Sequence, residues 1–271
     1  MSLRDIQFKR VYRSKNDKLD RDFIIPSLRQ SKSYDRGTGY FSLSSLASLS
    51  IGLLPFIRNG GNIRVVTSVD LAPEDRAIIR KGLEIQESAI IEKINSDILV
   101  AIEDPKDTSK LDIITNLIAA NRIVIKIAYM PLGGIYHEKI GFFHDSKGNK
   151  VCFMGSQNET YSAYKFNLES AVVLTSWTDD LDDILEQERY FEDLWNNQVQ
   201  GLKVFSFPEA LKRCLFEKYK ISHDWEAAFN QCEKGSEYGH ISNNKEKELH
   251  PYQKEAVKQF LDNKNCFTAS F

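Results

Sequence analysis

Two short stretches of this sequence combine residue types that act together on phosphodiesters. His137 and Lys139 are two positions apart in the first stretch. Ser156 and Asn158 are also two apart in the second stretch, directly after Gly155. An imidazole is a nucleophile or a proton donor near neutral pH. Lysine, serine and asparagine donate hydrogen bonds to phosphoryl oxygens as negative charge develops on them. The combination therefore indicates phosphoryl chemistry, provided that the fold brings these side chains together.

The sequence pattern places both stretches on neighbouring strands. Residues 136–143 and 150–154 are predicted to be strands, and the turn-forming residues 145–149 join them as a hairpin. Side chains two apart on a strand project from the same face of a sheet. We therefore expect the four polar side chains to converge on one spot, with the intervening Glu138 on the opposite face. The alternative for the second pair is that both are ordinary turn residues.

Strand-like and helix-like stretches alternate through the rest of the chain. The predicted strands cover residues 36–41, 62–67, 122–129 and 168–175, and the predicted helices cover 43–57, 73–102, 110–120 and 179–197. Thr178 is the expected N-cap of the helix over 179–197. The alternation of strands and helices is typical of the α/β class.

Charge is spread unevenly, although the whole chain is close to neutral. The formal net charge is −2, which excludes a polycation and limits any nucleic-acid contact to a local patch. Residues 1–32 contain nine Lys and Arg against four Asp. Residues 179–193 contain eight acidic residues, with Arg189 as the one cation. We therefore expect the acidic helix to lie away from any phosphate-bearing ligand, although solvated faces also explain both regions.

Length and composition suit a soluble protein of the reducing cytoplasm. The chain has 271 residues, of which 42% are hydrophobic and 27% charged, as in ordinary globular proteins. No apolar run approaches the roughly 20 residues of a membrane span, and the N-terminus has no apolar signal core. The four cysteines form no C-x-x-C pair, which argues against a structural zinc site and a disulfide framework.

Together, the two polar stretches resemble the signature of the phospholipase D superfamily, H-x-K-x4-D followed by G-S-x-N. The histidine, lysine, serine and asparagine match, whereas the aspartate falls one residue late, at Asp145, with His144 in its usual place. The aspartate of this superfamily is mostly structural, so the resemblance implies a structural role for Asp145. Its offset spacing suggests that it caps the turn, and we expect His144 to face solvent. The resemblance also implies a mixed sheet flanked by helices on both faces.

A third stretch, Asn167-Leu168-Glu169, resembles the N-x-E that follows the signature in nucleases of this superfamily. The resemblance makes Glu169 the partner of a catalytic histidine, whose tautomer it fixes and whose cationic form it favours. The alternative is a solvated strand residue. The superfamily's active site holds two copies of the signature and this sequence has one, so the resemblance implies an isologous homodimer. It also implies that His137 attacks phosphorus without a metal or other cofactor and forms a phosphohistidine.

Two further stretches resemble parts of helicase proteins. Residues 34–42 are similar to a strand of nuclease-like domains that are fused to helicases. Residues 249–256 (LHPYQKEA) resemble the opening of a superfamily 2 DEAD/DEAH-type helicase, and no phosphate-binding loop follows them. A plain amphipathic helix over 249–262 is the alternative. We expect a phospholipase D-like domain over 1–204, a helical extension and polar linker over 205–247, and the truncated start of a helicase domain over 248–271.

The leading hypothesis is a metal-independent phosphodiesterase that cleaves nucleic acid, as the nuclease module of a restriction or phage-defence helicase. Its expected partners are nucleic acid, with DNA favoured and RNA left open, a second copy of the chain and the missing helicase portion. The alternative is a non-catalytic dimerisation and DNA-binding module, which the displaced Asp145 and the near-neutral charge favour. A lipid phosphodiesterase is disfavoured because the sequence shows no apolar surface segment or lipid anchor. Activity against nucleic acids separates the first two hypotheses.

Overall fold

Eight strands form one open sheet in the computed structural model of this chain, which describes residues 2–68, 108–130, 132 and 134–206. The strands are β1 (Val11–Arg13), β2 (Ser33–Thr38), β3 (Asn62–Ser68), β4 (Ile123–Tyr129), β5 (Ile140–His144), β6 (Lys150–Gly155), β7 (Ser170–Thr175) and β8 (Lys203–Ser206). Their order across the sheet is β1-β7-β6-β5-β2-β3-β4-β8. The pairs β2–β3 and β3–β4 are parallel, and the other neighbouring pairs are antiparallel. The predicted α/β class and mixed sheet are therefore confirmed.

Helices connect most of these strands within the described part of the chain. The α-helices are α1 (Ile25–Gln30), α2 (Leu43–Ser48), α3 (Ser50–Arg58), α4 (Thr108–Ala119), α5 (Tyr161–Lys165) and α6 (Leu181–Trp195). A 3-10 helix covers Leu3–Asp5, and a π-helix covers Leu19–Ile24. The helices predicted over residues 110–120 and 179–197 correspond to α4 and α6.

The stretch 43–57, predicted as one helix, forms the two helices α2 and α3. Leu49 separates them with φ −90° and ψ 8°. The hydroxyls of Ser45 and Ser48 donate to the carbonyl oxygens three residues earlier, at 2.7 and 2.6 Å. Such side-chain bonds compete with the hydrogen bonds of the helix backbone. The serine-rich sequence therefore interrupts a helix that the apolar spacing alone would continue.

Helices cover both faces of the sheet because successive strand residues face opposite sides. Val65 belongs to the hydrophobic core shared with α1, α2, α3 and α4, whereas Val66 belongs to the core shared with α6. Phe143 and Phe142 divide between the same two cores. The expected helices on both faces are confirmed.

The hairpin turn between β5 and β6 is organised by the buried side chain of Asp145. Its Oδ1 accepts hydrogen bonds from the backbone N–H groups of Lys147 and Asn149, at 2.8 and 2.9 Å. Its Oδ2 accepts from Ser2 Oγ at 2.6 Å and from the Leu3 N–H at 3.0 Å. Burial acts to raise the pKa of this carboxyl, but the hydrogen bonds outweigh it and lower the pKa to about 2. The predicted turn is confirmed, and its carboxylate also holds the N-terminal segment against the hairpin.

Two local expectations are wrong. Strand β5 begins at Ile140, and residues 134–139 adopt no regular secondary structure. Helix α6 is capped by Asp180, whose side chain accepts a hydrogen bond from the Asp182 N–H at 2.9 Å. The hydroxyl of Thr178, the predicted cap, instead hydrogen-bonds with that of Thr175 at 2.5 Å. Both aspartate and threonine are good caps, so their tertiary partners decide between them.

Several predicted segments lie outside the described residues. They are the helix over 73–102, the helical extension and linker from 207 onward, and the helicase-like stretch. Strand β8 crosses the predicted domain boundary between residues 204 and 205. None of the described helices has the length and hydrophobicity needed to cross a membrane.

Candidate active site

A cavity of ≈ 630 Å³ opens where β6 ends and β5 begins. His137, Lys139, Ser156 and Asn158 all contribute to its wall. The structure therefore brings together the four side chains that the sequence places two apart on neighbouring segments.

The two polar stretches meet because β6 and β5 pair up to their ends. The Gly155 N–H donates to the Lys139 carbonyl oxygen at 3.2 Å, one residue before β5 begins. On the other side of β6, a Cβ added to Gly155 would lie 1.9 Å from the Ser170 carbonyl oxygen. Glycine is therefore required here, because only its missing side chain allows β7 to approach so closely.

Lys139 and His137 form a direct contact inside the cavity. The Lys139 Nζ lies 2.6 Å from Nδ1 and 3.0 Å from Nε2 of the imidazole, and it donates to the His137 carbonyl oxygen at 2.8 Å. An ammonium group only donates, so this contact requires a neutral imidazole with a nitrogen that accepts. Burial and the charge of Lys139 both lower the pKa of His137. The imidazole is therefore held in the form that can act as a nucleophile.

The segment after β2 packs against the imidazole. The Tyr40 ring meets the His137 ring edge-on, with 5.7 Å between centroids and 81° between planes. A Cβ on Gly39 would lie 2.5 Å from Cδ2 of the same imidazole. The Tyr40 N–H donates to Asn158 Oδ1 at 3.1 Å, which turns the amide NH2 of Asn158 away from this contact. Tyr40, which the sequence analysis did not single out, thus orients two of the cavity's side chains.

Glu169 lies beside Ser156 in the folded chain. The Ser156 hydroxyl donates to Glu169 Oε2 at 2.5 Å and accepts from the Ser170 N–H at 3.1 Å. Asn167 Nδ2 donates to the other carboxylate oxygen of Glu169 at 3.2 Å. Within the described residues, the carboxylate hydrogen-bonds to these groups rather than to His137. Its charge also acts on Lys139, whose pKa burial lowers and Glu169 raises.

The sequence profile of the family described as cardiolipin synthase, PLD-like domain, matches residues 25–195, which is more than half of the chain. The chain belongs to this family. A comparison with curated proteins gave no match.

Three solved structures are similar to this chain at low sequence identity. NucT from Helicobacter pylori is 13% identical with a TM-score of 0.40, over 72% of this chain and 97% of that chain. Nuc from Salmonella typhimurium, a phospholipase D family member, is 16% identical with a TM-score of 0.42, over 73% of this chain and 97% of that chain. Yeast tyrosyl-DNA phosphodiesterase is 12% identical with a TM-score of 0.29, over 54% of this chain and 26% of that chain.

The displaced aspartate of the PLD-like signature lies outside the cavity. Asp145 sits in the hairpin turn at the far end of β5, the opposite end from His137 and Lys139. Its neighbour His144 does not simply face solvent as expected, since its side chain is only 21% exposed. Nδ1 of His144 contacts Ser33 Oγ at 2.7 Å, and Nε2 pairs with the Glu188 carboxylate. The antiparallel pairing of β5 with β2 and the packing of α6 provide these two partners, which the sequence spacing alone does not reveal.

A buried ion pair supports the loop behind Asn158. Glu159 is fully buried and accepts from the hydroxyls of Tyr34 and Tyr164 at 2.8 and 2.7 Å. Its carboxylate also lies 3.3 Å from Nε of Arg36, which is 1% exposed and donates to the Gln157 carbonyl oxygen. Burial without a partner would cost such charges several kcal/mol, so the pair fixes the loop against β2. The sequence signal was Arg36 at the start of the strand predicted over 36–41, which the sequence analysis did not use.

The acidic helix forms part of the same cavity, contrary to the expectation that it lies away from it. Glu186, Gln187 and Tyr190 of α6 contribute to the wall. Glu138 does so as well, although strand alternation placed it on the opposite face. The alternation rule fails here because residues 134–139 are not a strand. Among the described residues, no group of three or more His, Cys, Asp or Glu side chains is placed to hold a metal ion.

Proposed function

We propose that this PLD-like domain is a metal-independent phosphodiesterase that cleaves nucleic acid through a covalent intermediate on His137. The observation that carries the proposal is the cavity in which His137, in contact with Lys139, lies beside three side chains that are able to donate to phosphoryl oxygens. Membership of the PLD-like family supports phosphodiester chemistry in general. The helicase-like residues 249–256 support nucleic acid as the substrate.

In the proposed first step, an imidazole nitrogen of His137 bonds to phosphorus and the bond from phosphorus to the leaving oxygen breaks. Lys139 neutralises charge on the phosphoryl oxygens, and the amide NH2 of Asn158 donates to them. Ser156 has one hydroxyl proton, which it donates in a hydrogen bond to Glu169. It therefore contributes to phosphate binding by turning this donor from the carboxylate to a phosphoryl oxygen.

The proposed second step regenerates the histidine. Water attacks phosphorus, the bond from phosphorus to nitrogen breaks, and the cleaved phosphate leaves with the new oxygen. The acid that protonates the first leaving oxygen is His137 of the partner subunit in a two-fold dimer, and the same imidazole is the base that then takes the proton from water. In this dimer one His137 imidazole is neutral and attacks phosphorus, whereas the other has left its contact with Lys139 and carries the proton that it donates. Within one chain the Glu169 carboxylate contacts Ser156. The histidine that it was predicted to orient is therefore proposed to be His137 of the partner subunit.

The test is cleavage of single-stranded DNA, duplex DNA and RNA in the presence of EDTA. We expect cleavage of at least one of them, and His137→Ala should reduce it by at least about 10³-fold, as other nucleophile deletions do. His144→Gln is the matched control, since His144 lies outside the cavity, and it should retain activity. Loss of activity in EDTA with recovery in magnesium would contradict metal independence.

Two other results would replace the proposed function. Binding of nucleic acid without cleavage of any of the three substrates would favour the non-catalytic binding module. Cleavage of phosphatidyl lipids in vesicles, without action on nucleic acid, would favour a lipid phosphodiesterase.

A further inference from the structure

We propose that Glu138 and Glu186 form an acidic wall that selects the phosphodiesters this cavity accepts. A substrate fits when the group that follows the scissile phosphate toward the acidic wall is uncharged or is a hydrogen-bond donor. A substrate with further phosphates on that side is repelled. The inference rests on the proposed cleavage of phosphodiesters in the same cavity. It names the substrate class as a strand end or a flexible single strand, rather than the interior of a duplex.

The cavity is lined by two opposed kinds of side chain. On the β5–β6 side, Lys139, Ser156 and Asn158 can donate to a phosphate. The two carboxylates of the acidic wall complete the same cavity. One lysine therefore faces two glutamates, which is an unusual balance for a site that binds a polyanion. Neither glutamate forms an ion pair with a cation of the described residues.

The acidic wall spans two parts of the chain, the segment before β5 with Glu138 and helix α6 with Glu186. Burial raises the pKa of Tyr190, and the negative charge of Glu138 raises it further. Glu138 and Tyr190 both line the cavity, so this charge acts within it. Glu186 is four residues before Tyr190, so both lie on the same face of the helix. The ring of Tyr190, which lines the same cavity, offers an uncharged surface against which a base or sugar can pack.

The scissile phosphate and the adjacent phosphates of the substrate meet opposite charges in this cavity. Lys139 neutralises the phosphate at His137, but a second phosphate near the acidic wall meets two negative charges on exposed side chains, which repel it at short range and most strongly at low ionic strength. A flexible strand can turn its next phosphate toward solvent, and a strand end has none on that side. A stiff duplex carries a charge about every 1.7 Å along its axis and cannot avoid the contact.

The decisive experiment compares substrates that differ in neighbouring phosphates. They are bis(p-nitrophenyl) phosphate, a 20-nucleotide single strand and a blunt duplex of the same sequence. The variants are Glu138→Gln, Glu186→Gln and their combination. Asp183→Asn is the matched control, because it removes the same charge from an exposed position on α6 outside the cavity.

We expect each glutamine variant to raise the ratio of kcat/KM for the duplex to kcat/KM for the small diester by about fivefold, and the double variant by more. Asp183→Asn should leave this ratio unchanged. An equal rise in Asp183→Asn, or no rise in the glutamine variants while the wild type cleaves, would overturn the acidic wall.

Binding measurements test the acidic wall independently of whether the protein cleaves phosphodiesters. Fluorescence anisotropy gives the affinity of the same labelled duplex for each variant without any cleavage. Tighter duplex binding in Glu186→Gln than in Asp183→Asn supports the acidic wall even if no substrate is cleaved, in which case the proposed function alone fails. Equal binding in both variants contradicts the acidic wall whether or not cleavage occurs.

Discussion

Replacing Asp145 with asparagine should reduce stability rather than catalysis. The carboxylate accepts five hydrogen bonds, which come from Ser2 Oγ, the N–H groups of Leu3, Lys147 and Asn149, and Asn149 Nδ2. An asparagine side chain has one acceptor oxygen and no charge, so it cannot accept them all. The variant should therefore loosen both the hairpin turn and the attachment of the N-terminal segment.

The lowered pKa of Asp145 sets the size of this effect. A folded pKa of about 2, against an ordinary value of 3.8, corresponds to about 2 to 3 kcal/mol. Because the folded pKa is the lower one, this stabilisation is fully present above the unfolded pKa and is lost as the pH falls through 2. At pH 7, Asp145→Asn should lower the free energy of unfolding by about 2 to 3 kcal/mol and Tm by about 4 to 12 °C.

Urea unfolding at pH 7 and near pH 2.5 measures this prediction, with Asp183→Asn as the exposed control. The difference between wild type and Asp145→Asn should shrink at the lower pH. Cleavage should be assayed at a temperature where both proteins are folded, and kcat should then stay close to that of the wild type. If the folded variant is as inactive as His137→Ala, the displaced carboxylate is catalytic and the structural role given to it is wrong.

Three further outcomes follow from the site and its supports. Glu169→Gln should cost less activity than His137→Ala, and it should move the alkaline limb of the pH–rate profile to lower pH. The reason is that Glu169 raises the pKa of Lys139 and its loss deprotonates that lysine sooner; an unchanged alkaline limb would contradict this. Gly155→Ala should destabilise the chain by at least about 2 kcal/mol in urea unfolding, since its Cβ would collide with the Ser170 carbonyl; unchanged stability would show that β6 and β7 can separate. Light scattering at micromolar concentration should give a dimer, and a strict monomer that still cleaves would refute the shared site.

Much of the fold and the meeting of the four site residues could be predicted from sequence. Strands such as β3 and β4 are short apolar runs with clear breaks, so local pattern alone defines them. The convergence of His137 and Lys139 with Ser156 and Asn158 follows from a hairpin whose turn residues are explicit. These features depend on neighbours in sequence, which is why they are accessible without a structure.

The remaining features depend on tertiary contacts that no local pattern encodes. Glu138 was misplaced because the alternation rule was applied to residues that precede β5. The position of α6 across one end of the cavity depends on how its apolar stripe packs on the sheet, and its charge alone gave the wrong expectation. The pairing of Arg36 with Glu159 joins residues more than a hundred positions apart. The contact of Glu169 with Ser156 spans only 13 positions, but it depends on the pairing of β6 with β7.

The central claim is that the neutral imidazole of His137 is the nucleophile, and one measurement tests it directly. A labelled oligonucleotide is incubated with the protein in EDTA, quenched in alkaline denaturant, which preserves phosphohistidine, and the protein is digested for mass spectrometry. We predict a nucleotide adduct on the peptide that contains His137, formed at a rate that is competent for turnover and absent in His137→Ala. Cleavage without any protein adduct, or an adduct that persists in His137→Ala, would contradict the mechanism.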